Sequence, residues 1–388
     1  MKSLELFSGA GGLALGTARA GFDHVAVIER DHDSCETIRL NKLRNVRPMT
    51  DWEVIEADIN QFDFAPFGDG IGFVAGGVPC QPFSLGGKHR GHEDHRDMFP
   101  EFIRAVDALK PRAFLLENVK GLLRQSFADY FEYIILRLSH PMVEIKKSQT
   151  WREHRAELER VHTAGKPTKL DYNVVFQLLN AADFGIPQRR ERVFIVGFRS
   201  DLGIHWSFPT PTHSREALLS SMWIEGGYWE RHRVRTRPKP NELLYKSIAE
   251  LREGLFKDDG TKPWQTVRDA ISGLRELKPG ETDPDDPNHF LNPGARSYKG
   301  HTGSILDEPA KTLKAGDHGV PGGENTLLLP DGGIRYFSVR ECARLQSFPD
   351  EFWFSGSWTE RMRQLGNAVP VALAEAVSRD IHAHLTGT

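Results

Sequence analysis

An α/β fold, a mostly parallel open sheet flanked by helices in the Rossmann-like manner, is predicted by three features of this 388-residue chain. Short apolar runs of β-type composition recur through the first 200 residues, helix-compatible stretches separate most of them, and a glycine-rich turn follows the first run. A smaller irregular domain is expected beyond them, where the alternation stops and proline, glycine and tryptophan become dense.

The runs are "LELF" (4–7), "HVAVI" (24–28), "EVIEA" (53–57), "IGFVAG" (71–76) and "AFLLE" (113–117). The stretch "LALGTARAG" lies between the first two. Further on, "FPEFIRAVDALK" sets Phe99, Phe102, Ile103, Val106 and Leu109 at helical spacing. Ligands of such sheets sit beyond the carboxyl ends of the strands. The first run leads into "FSGAGGLALG", the second ends at Glu29 and the third just before Asp58. The fourth leads to Cys80, and the fifth ends at Glu117 and Asn118. A glycine turn, three carboxylates and a thiol are therefore expected along one edge.

Composition narrows the classes. A formal net charge of -3 and a hydrophobic fraction of 39% suit a globular protein. No run of about 18 apolar residues is present to span a membrane. "MKSLELFSGAGG" enters a strand at once, which leaves no room for a signal peptide. Three cysteines, Cys35, Cys80 and Cys342, are too few for a disulfide framework and fit a reducing cytoplasm. Near-neutral charge is silent about nucleic acid, because acidic residues elsewhere mask a local basic patch.

The glycine turn alone is ambiguous. Gly9, Gly11 and Gly12 with Ala14 fit G-x-G-x-x-G/A, and Glu29 stands where a dinucleotide fold puts its ribose-binding acid. On these residues a nicotinamide enzyme is a serious rival reading. Cys80 is more particular. In "GGVPCQPFS" it is framed by Pro79 and Pro82, which makes it a loop thiol, whereas Cys35 and Cys342 lie in helical patterns and read as core. A nucleophilic cysteine needs an acid or base nearby, and Glu117 on the neighbouring strand supplies one. Four apolar residues precede Glu117, so desolvation should raise its pKa and favour a protonated, donating form. A thiolate beside such an acid suits addition to a conjugated heterocycle whose ring nitrogen takes the proton.

The stretches "FSGAGGLALG", "GGVPCQPFS", "ENVKGLL", "QRRERVFIVG" and "QLGNAVP" occur in that order, and with them the sequence resembles the DNA (cytosine-5)-methyltransferases of bacterial restriction-modification systems. The match covers roughly residues 1–200 and 335–388. It implies a methyltransferase fold dependent on S-adenosylmethionine, with residues 1–200 and 336–388 forming a catalytic and cofactor-binding domain. Residues 201–335 would form a target-recognition domain. By resemblance, Cys80 attacks C6 of a cytosine, Glu117 protonates N3, and C5 takes the methyl group before Cys80 is released. Phe7 packs on the cofactor's adenine, Glu29 holds its ribose and Asp58 meets its amino group, with Ile59, Pro79 and Asn367 completing the pocket. Gly9, Gly11 and Gly12 approach the methionine portion. Arg192 is placed at the cytosine O2, with Arg190 beside the nucleophile. If "QRRERVFIVG" is a strand, those two arginines share a face and Glu191 takes the other.

C5 of a paired cytosine is inside the stack, so the target base must be flipped out of double-stranded DNA. "SLGGKHRGHEDHRDMF" (84–99) suits a closing lid, with Ser84, Lys88, Arg90 and Arg96 on the DNA. His89, His92 and His95 are evenly spaced, but Gly91 disfavours the helix that would align them, and no metal is expected. "MWIEGGYWERHRVRTRPKP" (222–240) interleaves aromatics with Arg231, Arg233, Arg235, Arg237 and Lys239, a pattern that could track a phosphate backbone. In 301–325, Lys311, Thr312 and Lys314 are candidates to reach base edges. Residues 140–172 look like a polar insertion with one surface helix around 151–162 and no visible chemistry. The resemblance further implies a cytoplasmic, nucleoid-associated bacterial or phage monomer. A restriction endonuclease would act on the same site without forming a stable complex with it. An RNA substrate and a non-catalytic DNA-binding relative are the competing readings. The length of 200–335 speaks against the first, and the presence of both Cys80 and Glu117 against the second.

Overall fold

A computed structural model describes residues 1–79, 97–254, 260–296, 302–315 and 325–387. Its centre is a seven-stranded sheet of β1 (Lys2–Leu6), β2 (Asp23–Glu29), β3 (Glu53–Glu56), β4 (Phe73–Gly77), β5 (Ala113–Val119), β6 (Tyr172–Asn180) and β7 (Glu191–Arg199). The order is β3-β2-β1-β4-β5-β7-β6. The pairs among β1 to β5 are parallel, whereas β7 runs antiparallel to both β5 and β6. The five expected strands all form, within two residues of their apolar runs. In β4 and β5 both faces are covered, and this explains why "AFLLE" reads as a continuous apolar run.

Helices α1 (Gly12–Arg19) and α2 (His32–Leu43) follow β1 and β2. On the other face lie α3 (Phe99–Leu109) and α4 (Ala128–Ser139), packed on Leu4, Leu6, Val74, Phe114 and Leu116. Helix α5 (Trp151–Ala164) is the helix expected within the insertion, started by a Thr150–Glu153 capping box and ended by Gly165 with φ 61. Its surroundings are less empty of polar chemistry than the sequence suggested. His154 is buried against the Tyr133 hydroxyl at 2.9 Å, and His140 joins Asp171 at 2.8 Å to His162 at 3.0 Å.

Residues beyond the sheet carry shorter pieces. These are α6 (Arg215–Trp223), α7 (Gly227–Arg231), α8 (Glu242–Arg252) and α9 (Val267–Ile271), with two- to five-residue strands between and after them. A small apolar cluster of Leu218, Met222, Tyr228 and Trp229 belongs to this part alone. Val267, Ala310, Leu313 and Leu327 instead share one core with Ala10, Val27 and Phe348. The chain then closes with α10 (Val339–Leu345), α11 (Trp358–Asn367) and α12 (Val371–Thr386). Helix α12 lies on α1 so closely that a Cβ on Gly16 would stand 2.5 Å from the Val371 carbonyl oxygen, so glycine is required there. Among the described residues no helix is long and apolar enough to cross a membrane.

Candidate active site

The carboxyl ends of β1 to β5 open into one cavity of about 1400 Å³. That exceeds the few hundred to about 1,000 Å³ that usually house one small molecule. Its floor is made by Phe7–Gly9, Ile28–Asp31, Ala57–Asn60, Gly77–Pro79 and Glu117–Lys120, with Thr312–Ala315 and Gly366–Val369 as a wall. The glycine turn and the three carboxylates expected along one edge are all there.

At the β1 end, Phe7 takes φ 55, a left-handed conformation unusual for a bulky residue, which marks a strained position at a cavity wall. Gly9 (φ 51) lines the cavity and donates its N–H to Glu29 Oε2 at 2.8 Å. Glu29 Oε1 accepts from the Arg30 and Asp31 N–H groups, also at 2.8 Å. Three of its roughly four acceptor sites thus serve the backbone. Glu29 first fixes the glycine turn, and what remains of its charge faces the cavity. Asp58 starts a short 3-10 helix by accepting from Asn60, and that N–H, the Asn60 amide and Arg30 at 3.9 Å hold its carboxyl below the usual range. Ile59 and Asn367 also line the cavity.

Of the other two glycines, Gly12 lines the cavity and both do structural work besides. Gly11 is not among the lining residues; its φ of 89 makes it the left-handed N-cap of α1. A Cβ on Gly12 would stand 2.4 Å from the Val369 carbonyl oxygen, so its glycine admits the C-terminal wall rather than a ligand alone.

Glu117 sits opposite Gly77 in the β4–β5 register. An added Cβ on Gly77 would stand 3.6 Å from Glu117 Oε2. Asn118 ties the adjoining turn by donating to the Val78 carbonyl at 3.2 Å, and Pro79 lines the same cavity. Burial raises the Glu117 pKa, against the opposing pull of Arg192 and Arg190. That direction is the one expected from the sequence. Arg192 Nε stands 2.9 Å from Glu117 Oε1 and also lines the cavity.

Arg190 was expected beside the nucleophile, Cys80, which lies outside the described residues. The arginine precedes β7, is fully buried and is not among the lining residues. Its described guanidinium bonds run to the carbonyls of Leu313, Gly366 and Ala368 at 2.7–2.9 Å. These bonds to backbone brace the wall. Arg231, half-exposed, pairs with Asp269 at 2.9 Å and lies over the Tyr228 ring. Arg233 is exposed. Thr312 and Lys314 line the cavity, while Lys311 lies off it and donates to the Thr302 hydroxyl at 2.9 Å. Cys35 and Cys342 are buried, as expected. Cys80, Ser84, Lys88, Arg90 and Arg96, with His89, His92 and His95, lie outside the described residues.

Among the described residues, four lining cations were missed in the sequence: Arg30, near Asp58, Arg363, paired with Asp31, and Lys120 and Arg124. Lys120 pairs with Glu191 at 2.8 Å. Arg124, between two short 3-10 turns after β5, shows no side-chain partner among the described residues. No signal in "ENVKGLLR" separates the two.

The fold and this edge define a methyltransferase of the Rossmann-like class. In fold the chain is similar to the Dnmt2 methyltransferase of S. pombe, with TM-score 0.54 at 18% identity over 100% of this chain and 99% of that one. It is also similar to the Entamoeba histolytica methyltransferase EhMeth, with TM-score 0.56 at 12% identity over 100% and 98%. In sequence, the family of C-5 cytosine-specific DNA methylases matches residues 1–140 and 152–383, leaving out part of the insertion. Type II methyltransferase M.NgoMIV of Neisseria gonorrhoeae is 33% identical, over 98% of this chain and 96% of that protein. Type II methyltransferase M.AquIA of a Picosynechococcus species is 40% identical, over 72% and 90%. The chain belongs to the C-5 cytosine-specific DNA methylase family and is a DNA cytosine-5 methyltransferase.

Proposed function

We propose that this enzyme methylates one cytosine of a specific duplex sequence, flipped into the cavity beside Glu117, as the modification half of a restriction-modification system. Residues 1–200 and 336–388 carry catalysis, and 201–335 read the DNA. The relatives named type II methyltransferases support the biological setting. The observation that carries the site is the convergence of five strand ends on one cavity, with a buried Glu117, its pKa raised by that burial, beside the turn that leads to Cys80.

The residues fit S-adenosylmethionine. The carboxylates of Glu29 and Asp58 stand at neighbouring strand ends with apolar Phe7 and Ile59 on the same cavity, which matches a ribose and an adenine. When bound there, the cofactor supplies an electrophilic methyl group. Cys80 as thiolate adds to C6, and Glu117 gives its proton to N3, so that charge does not accumulate on the ring. C5 then takes the methyl group, loses its proton to a base, and the C6–S bond breaks as N3 returns its proton to Glu117. Arg192 orients the Glu117 carboxyl through the 2.9 Å contact. The test is methyl transfer from labelled S-adenosylmethionine into mixed-sequence duplex DNA, followed by bisulfite sequencing. Label at C5 of one cytosine in a recurring short sequence is expected, and no label in any DNA overturns the reading.

A further inference from the structure

The segment 310–315, whose last four residues wall the cavity, belongs to no sheet beyond a single bridge between Gln188 and Ala310. Its backbone groups must still find partners. Side chains supply them. The Leu313 N–H donates to Gln188 Oε1 at 3.0 Å and its carbonyl accepts from Arg190 at 2.9 Å. The Lys314 N–H and carbonyl are both taken by Asn325, at 2.9 and 2.8 Å. The Thr312 hydroxyl donates to the Arg189 carbonyl at 2.7 Å.

Gln188 has no exposed surface and does more than hold Leu313. Its Nε2 donates to the Leu345 carbonyl and to Gln346 Oε1, both at 3.1 Å. Gln346 Nε2 in turn donates to the carbonyls of Leu365 at 2.5 Å and Ala368 at 3.3 Å. The amide orientations follow from the partners, because a backbone N–H only donates and a carbonyl only accepts. The result is one directed chain: Leu313 N–H to Gln188, Gln188 to Gln346, Gln346 to the carbonyls flanking Gly366 and Asn367. Consecutive amides in a buried chain polarise one another. The two ends also touch directly, since a Cβ on Gly366 would lie 2.2 Å from the Ala315 nitrogen.

We propose that Gln188 is a positioning residue that couples DNA reading to methyl transfer: through Gln346 it locks the peptide of Leu313 to the cofactor-side wall and so sets Thr312 and Lys314 at the cavity. The proposal rests on the reading of Thr312 and Lys314 as DNA-facing. Methionine keeps the volume and loses every bond, whereas an ionised glutamate turns acceptors toward Leu345 and Gln346. A protonated glutamate keeps both functions, accepting from Leu313 and donating to Gln346.

The experiment compares wild type, Gln188→Met and Gln188→Glu in the full chain. It measures S-adenosylmethionine binding by calorimetry, and kcat and KM on the cognate duplex and on duplexes with one base pair changed. In Gln188→Met, discrimination between cognate and altered sites should fall about tenfold through KM for DNA, the scale of coupling through packed polar networks. Its cofactor affinity should stay within about twofold of wild type, because none of the broken bonds belongs to a cofactor-facing side chain. In Gln188→Glu, discrimination should recover as pH falls and the buried carboxyl takes its proton, and Gln188→Met should show no such recovery. Wild-type discrimination in Gln188→Met, or a Gln188→Glu pH profile matching wild type, overturns the proposal. The Gln188→Glu profile decides it alone if the methionine variant does not fold. Failure of the wild type to methylate any DNA would instead overturn the reading of the site, and this proposal with it.

Discussion

Arginine has opposite uses at the strand-end cavity and in residues 201–335. Around the cavity, Arg192 meets the carboxylate of Glu117 and Arg124 faces the opening with no partner among the described residues. In the middle region several guanidiniums are spent on structure, although Arg233 is exposed. Arg231 pairs with Asp269, and Arg268 grips Asp307, which also accepts from Tyr228. Arg340 of α10, fully buried, reaches back to Asp286. Where a sheet supplies regular hydrogen bonds, charge is free for chemistry. Where strands are only a few residues long, ion pairs and side-chain bonds substitute for the ladder, and the basic residues so used are not available to a ligand.

The largest expected effect falls on the cavity side. Glu117→Gln removes a proton donor while keeping shape, so kcat should fall about 10²- to 10⁴-fold, the range of general acid catalysis. Because burial raises the Glu117 pKa, wild-type kcat/KM should decline as pH rises through that raised value, and the variant should lack this limb. A variant retaining more than a tenth of the activity would remove Glu117 from the chemistry.

Acid should separate the two regions next. His24 on β2 is wholly buried, between the Ser3 hydroxyl at 3.0 Å and Thr17 and Ala14 of α1 at 2.8–3.0 Å. Burial pushes its pKa down to about 4, with the Ala14 carbonyl and Asp23 opposing. A lowered histidine leaves the folded state short of a proton, so its contribution is complete above the ordinary value near 6.5 and is lost as pH falls toward 4. The loss is about 3 kcal/mol from one group. Asp269 behaves differently. Burial draws its carboxyl upward, but Thr266 and Arg231 outweigh burial and hold it below the usual carboxylate value, so its contribution fails only at lower pH. Hydrogen exchange between pH 7 and 4 should therefore show β2 and α1 losing protection before the 266–269 turn. Simultaneous loss would make the two regions one acid-sensitive unit.

The smallest effect is the sharpest on arginine. Arg124→Gln should weaken DNA binding several-fold and lower the slope of log K against log salt by about one, as for a lost phosphate contact. Arg231→Gln should leave that slope unchanged and cost about 1 kcal/mol of stability, as for a half-exposed pair hydrogen-bonded to a buried capping aspartate. Reversed results would reassign both residues.

Much of the cavity edge was legible because a parallel sheet obeys period and position. Five apolar runs located β1 to β5, and reading the end of each run and the residue after it found Glu29, Asp58 and Glu117. What escaped was long-range pairing. Nothing near "QRRER" says that Arg190 will meet carbonyls more than a hundred positions later, or that Gln188 will hold Leu313. The stretch "WERHRVRTR" resembles a phosphate track because Asp269, which captures Arg231, is distant in sequence. Spacing reports local faces, and the partners of buried polar groups are set by the packing of the whole.

Duplex DNA carrying 5-fluorocytosine at the methylated position offers the most direct measurement, since C5 then has no proton to lose and the sulfur bond to C6 is trapped. With S-adenosylmethionine present, a stable protein–DNA adduct that maps by peptide sequencing to Cys80 and disappears in Cys80→Ala is predicted. An adduct that persists in Cys80→Ala, or none with active wild type, would contradict the account.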